Sequence, residues 1–355
     1  MSRLLTYDVV MATRNRSDAV ALSLPLLLRQ TRLPEQIVVV DSSDDPEAIA
    51  PLVQRIAADA RVPVSFRRAA PGLTHQRNVG LAECSADIVI FPDDDSLFYE
   101  DTAAAIMGIY EADTAGAVAG VAGRPVETPP ATVRGDLGTY AAEEKKGPLG
   151  TALRSLRQRG KEATGVLNPF LTTGHRLARQ QRAQGRRAPP GATLVPYMTG
   201  FRMSFRRASI TPVGFDEALR KYGWFEDVDA SFAALRTGLV VAADEGRVYH
   251  HRAAAARDNG HRMGLWAILN RGYVVMKHVR ANPAVFPAPG REILRLRAYC
   301  LARALAYRLL ARDAYERDRA RGAWDGLRLL GRLTTATAET LTETYSALER
   351  SLPDG

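Results

Sequence analysis

Three adjacent carboxylates in this 355-residue chain could bind a metal ion. Asp93, Asp94 and Asp95 directly follow the apolar run IVIFP, and their like charges repel one another unless a cation lies between them. Mg²⁺ and Mn²⁺ prefer hard oxygen ligands and often join carboxylates to substrate phosphates. An acidic turn or a helix N-cap is the alternative, but the position at a strand end favours the metal site.

A second acidic pair and a histidine pair could add acid–base or metal chemistry. Glu226 and Asp227 stand in GWFEDVDASF, where a first helical turn would also favour acidic residues. His250 and His251 close the run RVYHH, and imidazole suits Mn²⁺. Adjacent strand residues point to opposite faces, so the sequence leaves open which histidine meets a metal. Asp41, at the end of IVVVD, could bind a base or ribose or close an Asx-turn.

The elements that position these side chains alternate between strand and helix. Such alternation predicts βαβ units and a mostly parallel sheet, which binds ligands beyond the carboxyl ends of its strands. The predicted strands are Tyr7–Met11, Gln36–Val40, Val62–Phe66, Ile88–Phe91 and Ala117–Gly123. The predicted helices are Ser17–Arg29, Pro46–Asp59, Gln76–Cys84 and Thr102–Ala112.

The middle and the end of the chain have different patterns. Arg124–Val195 is rich in Arg, Gly and Pro with weak periodicity, which predicts an exposed, mobile insertion. Strand-like or helical pattern resumes at Pro196–Phe205, Glu226–Thr237 and Leu239–Ala243, and the Arg-rich tail Arg291–Arg350 is helical. We therefore predict a catalytic domain over residues 1–255, with the insertion at about 124–195, and a helical C-terminal extension over 256–355.

Composition narrows the function classes. A net charge of +9 indicates an anionic partner or arginines on solvated faces, while 7% aromatic residues and an aliphatic basic tail argue against nucleic acid. The sequence has no apolar run of about 20 residues and no signal-peptide pattern. We therefore expect a cytoplasmic protein, at most held at the inner face of the membrane. Cys84 and Cys300 fit neither a disulfide framework nor a metal cage.

Four segments in a fixed order resemble glycosyltransferase family 2, whose members have the GT-A fold. They are VVMATRNR, IVVVDSSDD, HQRNVGLAECSADIVIFPDDD, and the acceptor-side group TGFRMSFRR, VGFDEAL and FEDVDASFAALRTGL. The resemblance runs from Asp8 to about His251 and is weakest in the insertion. It departs at Val213 and at Phe201–Arg202, where the family often has Gly and Asn, so acceptor identity is the property least determined.

The resemblance implies an inverting glycosyltransferase that uses Mn²⁺ or Mg²⁺ and a nucleotide-diphosphate sugar, most simply of the UDP type. The acceptor would be a hydroxyl of a glycan or lipid-linked molecule in polysaccharide, cell-wall or glycolipid synthesis. Asp227 would be the general base. Asp93 and Asp95 would form the DxD pair that holds the metal, with His250 or His251. The implied nucleotide-site residues are Thr13, Arg14, Arg16, Asp41, Arg77, Asn78, Asp93 and Asp94, and the implied acceptor-site residues are Trp224, Glu226 and Gly200.

Two other functions remain open at this point. A sugar nucleotidyltransferase of similar fold would also use acidic metal ligands, but Tyr7–Asp18 lacks the Gly- and Lys-rich phosphate loop typical of that class. A non-catalytic module for an anionic partner would fit the net charge. The helix predicted over Arg291–Arg312 has the same ambiguity, because its leucines and arginines suit either an interfacial membrane helix or a helix packed on the protein.

Overall fold

The computed structural model describes residues 4–133, 168–220, 223–252 and 259–351. Within them a nine-stranded sheet has the order β3-β2-β1-β4-β8-β6-β9-β5, with β7 paired to β9. The strands are β1 Tyr7–Thr13, β2 Gln36–Asp41, β3 Val64–Arg68, β4 Ile88–Phe91, β5 Ser96–Phe98, β6 Val118–Val126, β7 Ala192–Leu194, β8 Met203–Arg206 and β9 Leu239–His250.

Helices flank this sheet and form the C-terminal part of the chain. They are α1 Ser17–Leu28, α2 Ala50–Ala57, α3 Leu73–Ala82, α4 Thr102–Ala112, α5 Pro169–Ala183, α6 Arg207–Ile210, α7 Glu226–Ala234, α8 Gly260–Ala281, α9 Pro289–Leu310, α10 Ala314–Thr335 and α11 Leu341–Arg350. The predicted α/β class with a helical C-terminal extension is confirmed.

Parallel pairing of the first strands places the ends of three of them side by side. β1 pairs in parallel with β2 and β4, and β2 pairs in parallel with β3. The continuous apolar runs of β1, β2 and β4 are buried on both faces, as expected for central parallel strands. Thr13 pairs with Asp41, and an isolated parallel bridge joins Ala12 to Asp93, so these strand ends meet at one edge.

The predicted insertion is more ordered than its sequence pattern indicated. Residues 134–167 lie outside the described part, but α5 and β7 occupy stretches that we predicted to be exposed loop. The helical stripe of α5 includes the buried polar residues Thr173 and Gln181 beside Phe170 and Leu177. Polar side chains in the buried positions hide the apolar periodicity from which a helix is predicted.

Two compact units divide the described residues. The first unit consists of the described residues within Met1–Glu143 and Ala178–Ala255. The second unit consists of the described residues within Glu144–Leu177 and Ala256–Gly355. In the second unit, a Cβ on Gly264 would lie 1.9 Å from the carbonyl oxygen of Arg319, and one on Gly322 would lie 1.8 Å from that of His261. Glycine at both positions therefore allows α8 and α10 to touch backbone to backbone.

The described helices include none whose length and apolar character would suffice for a membrane crossing.

Candidate active site

Three potential metal ligands meet where β4, β5 and β9 come together. Asp93 and Asp95 lie between β4 and β5, and His250 is the last residue of β9, which pairs with β5 at Ser96. One ligand atom from each of Asp93, Asp95 and His250 lies within 4.8 Å of the others. Nε2 of His250 is 3.3 Å from Oδ1 of Asp95. Of the two histidines, His250 is thus the one that joins the carboxylates.

Phe201 positions the imidazole of His250. The two rings are stacked with centroids 4.5 Å apart and an interplanar angle of 8°. The carbonyl of Phe201 accepts a hydrogen bond of 2.7 Å from the hydroxyl of Ser96, the residue that pairs with His250 in the sheet. Phe201 occupies one of the two positions where this chain departs from the family pattern, and its role here is contact with a candidate ligand.

Arg16 pairs with two of the three carboxylates, those of Asp94 and Asp95. Its guanidinium lies 2.7 Å from Oδ1 of Asp94 and also forms an ion pair with Asp95. The hydroxyl of Thr13 donates to Oδ2 of Asp94 at 2.8 Å, and that of Ser23 donates to the Asp94 carbonyl at 2.6 Å. Asp94 is therefore held from β1 and α1 and is not one of the three clustered ligands.

Arg77 links the metal cluster to the second acidic pair. One guanidinium nitrogen is 2.7 Å from Oδ1 of Asp93, and another is 2.5 Å from Oε1 of Glu226. The side chain, carried by α3, is only 1% exposed. Gly200 lies close against this ion pair. A Cβ at position 200 would be 3.2 Å from Oε1 of Glu226 and 3.4 Å from Nη2 of Arg77. An ion-pair chain thus runs from the partly exposed Asp93 through the buried Arg77 to the buried Glu226.

Asp227 is held by backbone donors at the start of α7. The N–H of Gly200 donates to its Oδ2 at 2.9 Å, and the N–H of Val228 donates to its Oδ1 at 2.8 Å. Phe225, the residue before Glu226, has φ +78°, an unfavourable conformation for a side chain of this size. Backbone strain of this kind concentrates at functional sites, and here it stands directly before the acidic pair.

Burial and charge shift the pKa values of these carboxyls in different directions. Burial raises the pKa of Asp94 to about 7 against the lowering effect of Arg16. Burial also disfavours ionised Asp95, but the His250 hydrogen bond and the Arg16 charge outweigh it and lower its pKa to about 2. Burial raises the pKa of Asp93 despite the Arg77 charge. Asp95 is therefore the carboxylate most firmly held in its ionised, ligand-competent form.

The acidic pair has raised pKa values. Burial and the neighbouring Asp227 charge raise the pKa of Glu226 to about 8, more than the Arg77 charge lowers it. Burial also raises the pKa of Asp227, although two backbone N–H donors oppose this. Perturbed carboxyls near one another are typical of acid–base sites.

The donor set of the cluster fits a hard divalent ion. Two carboxylate oxygens and one imidazole nitrogen are ligands that Mn²⁺ accepts, and Mg²⁺ takes the oxygens. Asp93 is partly exposed, with 30% of its side-chain surface accessible, so a ligand on the metal could reach the cluster.

The other five predicted site residues make further contacts. Arg14 forms an exposed ion pair with Asp44, and the Asn78 amide bonds to the backbone of Phe215 and to Glu217. Asp41 forms an ion pair with Arg68 and accepts from Ser43. Trp224 stacks on Phe225 at 5.1 Å, and the N–H of His251 donates to the Asp95 carbonyl at 3.0 Å.

Sequence reasoning overlooked Arg68 and Gln76. Arg68 ends β3 beside Asp41, so the rule that pointed to Asp41 at the end of β2 would also have pointed to Arg68. The buried amide of Gln76 donates to the carbonyls of Thr13 and Val40 at 2.8 and 2.9 Å. It ties the ends of β1 and β2 together, which no pattern in the sequence reveals.

This sheet, with acidic residues after its central strands and helices on its flanks, defines the GT-A class of fold. The chain belongs to glycosyl transferase family 2, whose family model matches residues 8–183. No curated protein sequence matches the chain significantly.

Solved structures with this fold have low sequence identity to the chain. The mannosyltransferase PcManGT from Pyrobaculum calidifontis, in complex with GDP-Man and Mn²⁺, is 15% identical with a TM-score of 0.52, and the match covers 100% of this chain and 89% of that one. TarS 1–349 from S. aureus is also 15% identical, with 98% and 91% coverage and a TM-score of 0.48. The first likeness shows the fold, and the second is too weak to add to it.

Proposed function

We propose that this glycosyltransferase catalyses metal-dependent, inverting transfer of a sugar from a nucleotide-diphosphate sugar to an acceptor hydroxyl, with Asp227 as general base. The observation that carries the proposal is the ion-pair chain Asp93–Arg77–Glu226, which runs from the candidate metal ligands to the residue beside Asp227. We assign catalysis to residues 1–255 and treat 256–355 as a separate extension.

Asp93, Asp95 and His250 would hold the ion. A bound divalent cation neutralises charge that develops on a diphosphate leaving group. The low pKa of Asp95 keeps that ligand ionised, and the stack with Phe201 fixes the His250 ring. Mn²⁺ suits this mixed set of oxygen and nitrogen donors better than Mg²⁺, which prefers oxygen ligands alone.

Asp227 would accept the proton of the attacking hydroxyl. Backbone donors from Gly200 and Val228 fix the orientation of the carboxylate, and its raised pKa makes it a stronger base than an ordinary aspartate. Glu226 lies directly before it in the chain, and burial and the Asp227 charge raise the pKa of Glu226 to about 8.

The remaining predicted residues would bind the substrates. We propose that Thr13, Arg16 and Asp41 line the nucleotide pocket at the ends of β1 and β2, and that Arg14 and Asn78 lie at its border. Trp224 and Gly200 would face the acceptor. UDP sugars are the first donors to examine, since the family resemblance favours them. GDP sugars follow, since PcManGT is in complex with GDP-Man.

Release of a nucleoside diphosphate from a panel of nucleotide sugars with Mn²⁺ tests the proposal. Asp227→Asn should lower turnover by about two or more orders of magnitude, the usual contribution of a general base. Its matched control is Asp101→Asn, which removes an exposed carboxylate paired with Arg247. Normal turnover in Asp227→Asn would exclude its role as base.

The same panel separates the alternatives. Pyrophosphate release or consumption would instead indicate a nucleotidyltransferase. The absence of turnover and of nucleotide-induced stabilisation in a thermal-shift screen would indicate a binding module, because any ligand of the native state raises stability.

A further inference from the structure

Helix α9 has two apolar faces, and among the described residues only one of them is packed against other helices. Leu296, Tyr299, Cys300 and Ala304 are buried, and α9 packs on α10 and α8. The other face carries four leucines that are 41–80% exposed, Leu294, Leu301, Leu305 and Leu309. Their spacing of seven, four and four residues places them in one stripe along the helix. The stripe accounts for four of the eight exposed large apolar side chains among the described residues.

Cationic side chains border this stripe. Arg291 and Arg308 are exposed near its two ends, and Arg297, which donates to Oγ1 of Thr334 on α10, is also exposed. Glu292 is the one acidic residue of α9, and it is 3% exposed because it forms ion pairs with Arg176 and Arg295. The outer face of α9 therefore combines leucine with arginine and has no exposed acidic residue of α9 itself.

We propose that this leucine face of α9 docks on an anionic membrane surface, with the helix lying in the plane of the headgroups. Apolar side chains in one stripe with arginines at its border are the pattern of an interfacial helix. Anionic lipid attracts each nearby cation, and long arginine side chains reach the headgroups while the leucines enter the acyl boundary.

Charge argues against a second copy of the chain as the occupant. An isologous contact between two α9 faces would bring arginines against arginines, because the face has no exposed acidic residue of its own helix to pair with them. A membrane with anionic lipid supplies the opposite charge and the apolar phase together.

Co-sedimentation of the full chain with vesicles tests this docking. The chain should sediment with phosphatidylcholine vesicles that contain phosphatidylglycerol, remain in the supernatant with phosphatidylcholine alone, and be released as salt rises, since salt screens surface attraction. Sedimentation with neither vesicle at low salt, or equally with both, would overturn the assignment to an anionic surface.

Matched double variants assign the binding to α9. Leu294→Gln with Leu301→Gln replaces side chains that are 70% and 41% exposed, and Leu4→Gln with Leu33→Gln replaces controls that are 72% and 39% exposed. The first pair should weaken vesicle binding by at least about tenfold, because apolar burial is lost, and the control pair should leave it unchanged. Both pairs should retain the parent melting temperature. Equal weakening by the two pairs, or none by the first, would contradict the proposal.

A double arginine variant and a measurement of the oligomeric state complete the test. Arg291→Gln with Arg308→Gln should weaken binding by roughly fivefold per arginine, whereas the exposed pair Arg55→Gln with Arg236→Gln should have little effect. If sedimentation velocity without lipid shows a dimer that the Leu294→Gln and Leu301→Gln variant abolishes, the face is an interface between copies and the membrane proposal is wrong.

Discussion

Arg16 and Arg77 pair with different carboxylates of the same acidic run and differ in exposure. The Arg16 side chain is 22% exposed and contacts Asp94 and Asp95, whereas Arg77 is 1% exposed and contacts Asp93 and Glu226. An arginine with access to water can move away when a divalent cation arrives, because its own charge is resolvated. A buried arginine such as Arg77 cannot leave without stranding the buried Glu226 carboxylate. The Arg16 side of the site can therefore adapt, while the Arg77 side is fixed.

Asp95→Ala has the largest expected effect, because Asp95 is the ligand that Arg16 and a metal would share. Transfer should be abolished, and Mn²⁺ should no longer raise the melting temperature, while the unliganded protein stays folded. Activity assays and thermal shift with and without Mn²⁺ measure both. Metal-dependent activity in this variant would show that Asp95 is not a metal ligand. The proposed difference between Arg16 and Arg77 at the metal site would then fail.

Arg77→Gln should be the most destabilising change. Removal of one member of a buried ion pair typically costs about 3–5 kcal/mol, because the remaining charge stays buried. Chemical denaturation gives the free energy of unfolding, and Arg67→Gln, at an arginine that is 47% exposed and paired with Glu83, is the control. A loss no greater than that of the control would show that Arg77 does not hold the site together.

Acid inhibition should respond to Arg77 and not to Arg16. A general base works only when ionised, so the raised pKa of Asp227 means that turnover is full above that pKa and falls about tenfold per pH unit below it. The Arg77 charge lowers the pKa of Asp227, so the acid limb should move to higher pH in the folded fraction of Arg77→Gln. Profiles of turnover against pH measure this, and an acid limb that shifts in Arg16→Gln instead would reverse the assignment.

Arg16→Gln should have the smallest effect on stability, about 1–2 kcal/mol for one lost partner of a hydrogen-bonded group. Asp94 can take up a proton, since its pKa is about 7, and Asp95 retains the His250 contact. Because Arg16 no longer competes for Asp95, Mn²⁺ should produce a larger thermal shift than in the parent chain. A smaller shift would mean that Arg16 helps to hold the metal or its ligand.

Sequence pattern predicted the sheet and its acidic edge better than it predicted the contacts within the site. The predicted strand Ile88–Phe91 and helix Thr102–Ala112 match the structure to the residue, because each is set by a local apolar pattern and clear boundaries. The contact between Arg77 and Glu226 joins residues 149 positions apart. Local periodicity contains no information on such a pair, and only the assembled sheet brings α3 and α7 together.

Polar residues in buried positions explain why helix α5 was not predicted from the sequence. The helical spacing of α5 includes Thr173 and Gln181, so its sequence was predicted to be loop. The catalytic, metal and substrate roles of the site residues stay predictions.

The backbone contact between α8 and α10 makes tolerance to substitution uneven along the C-terminal unit. Any side chain at Gly264 or Gly322 would overlap a carbonyl oxygen of the opposite helix, so even alanine must force the two helices apart. Leu294, only a short distance along the chain, is 70% exposed and has no such constraint. A selection for folded protein should therefore retain glycine at the first two positions and leave position 294 open to change, so that the outer face of α9 can diverge while the helix pair beneath it cannot.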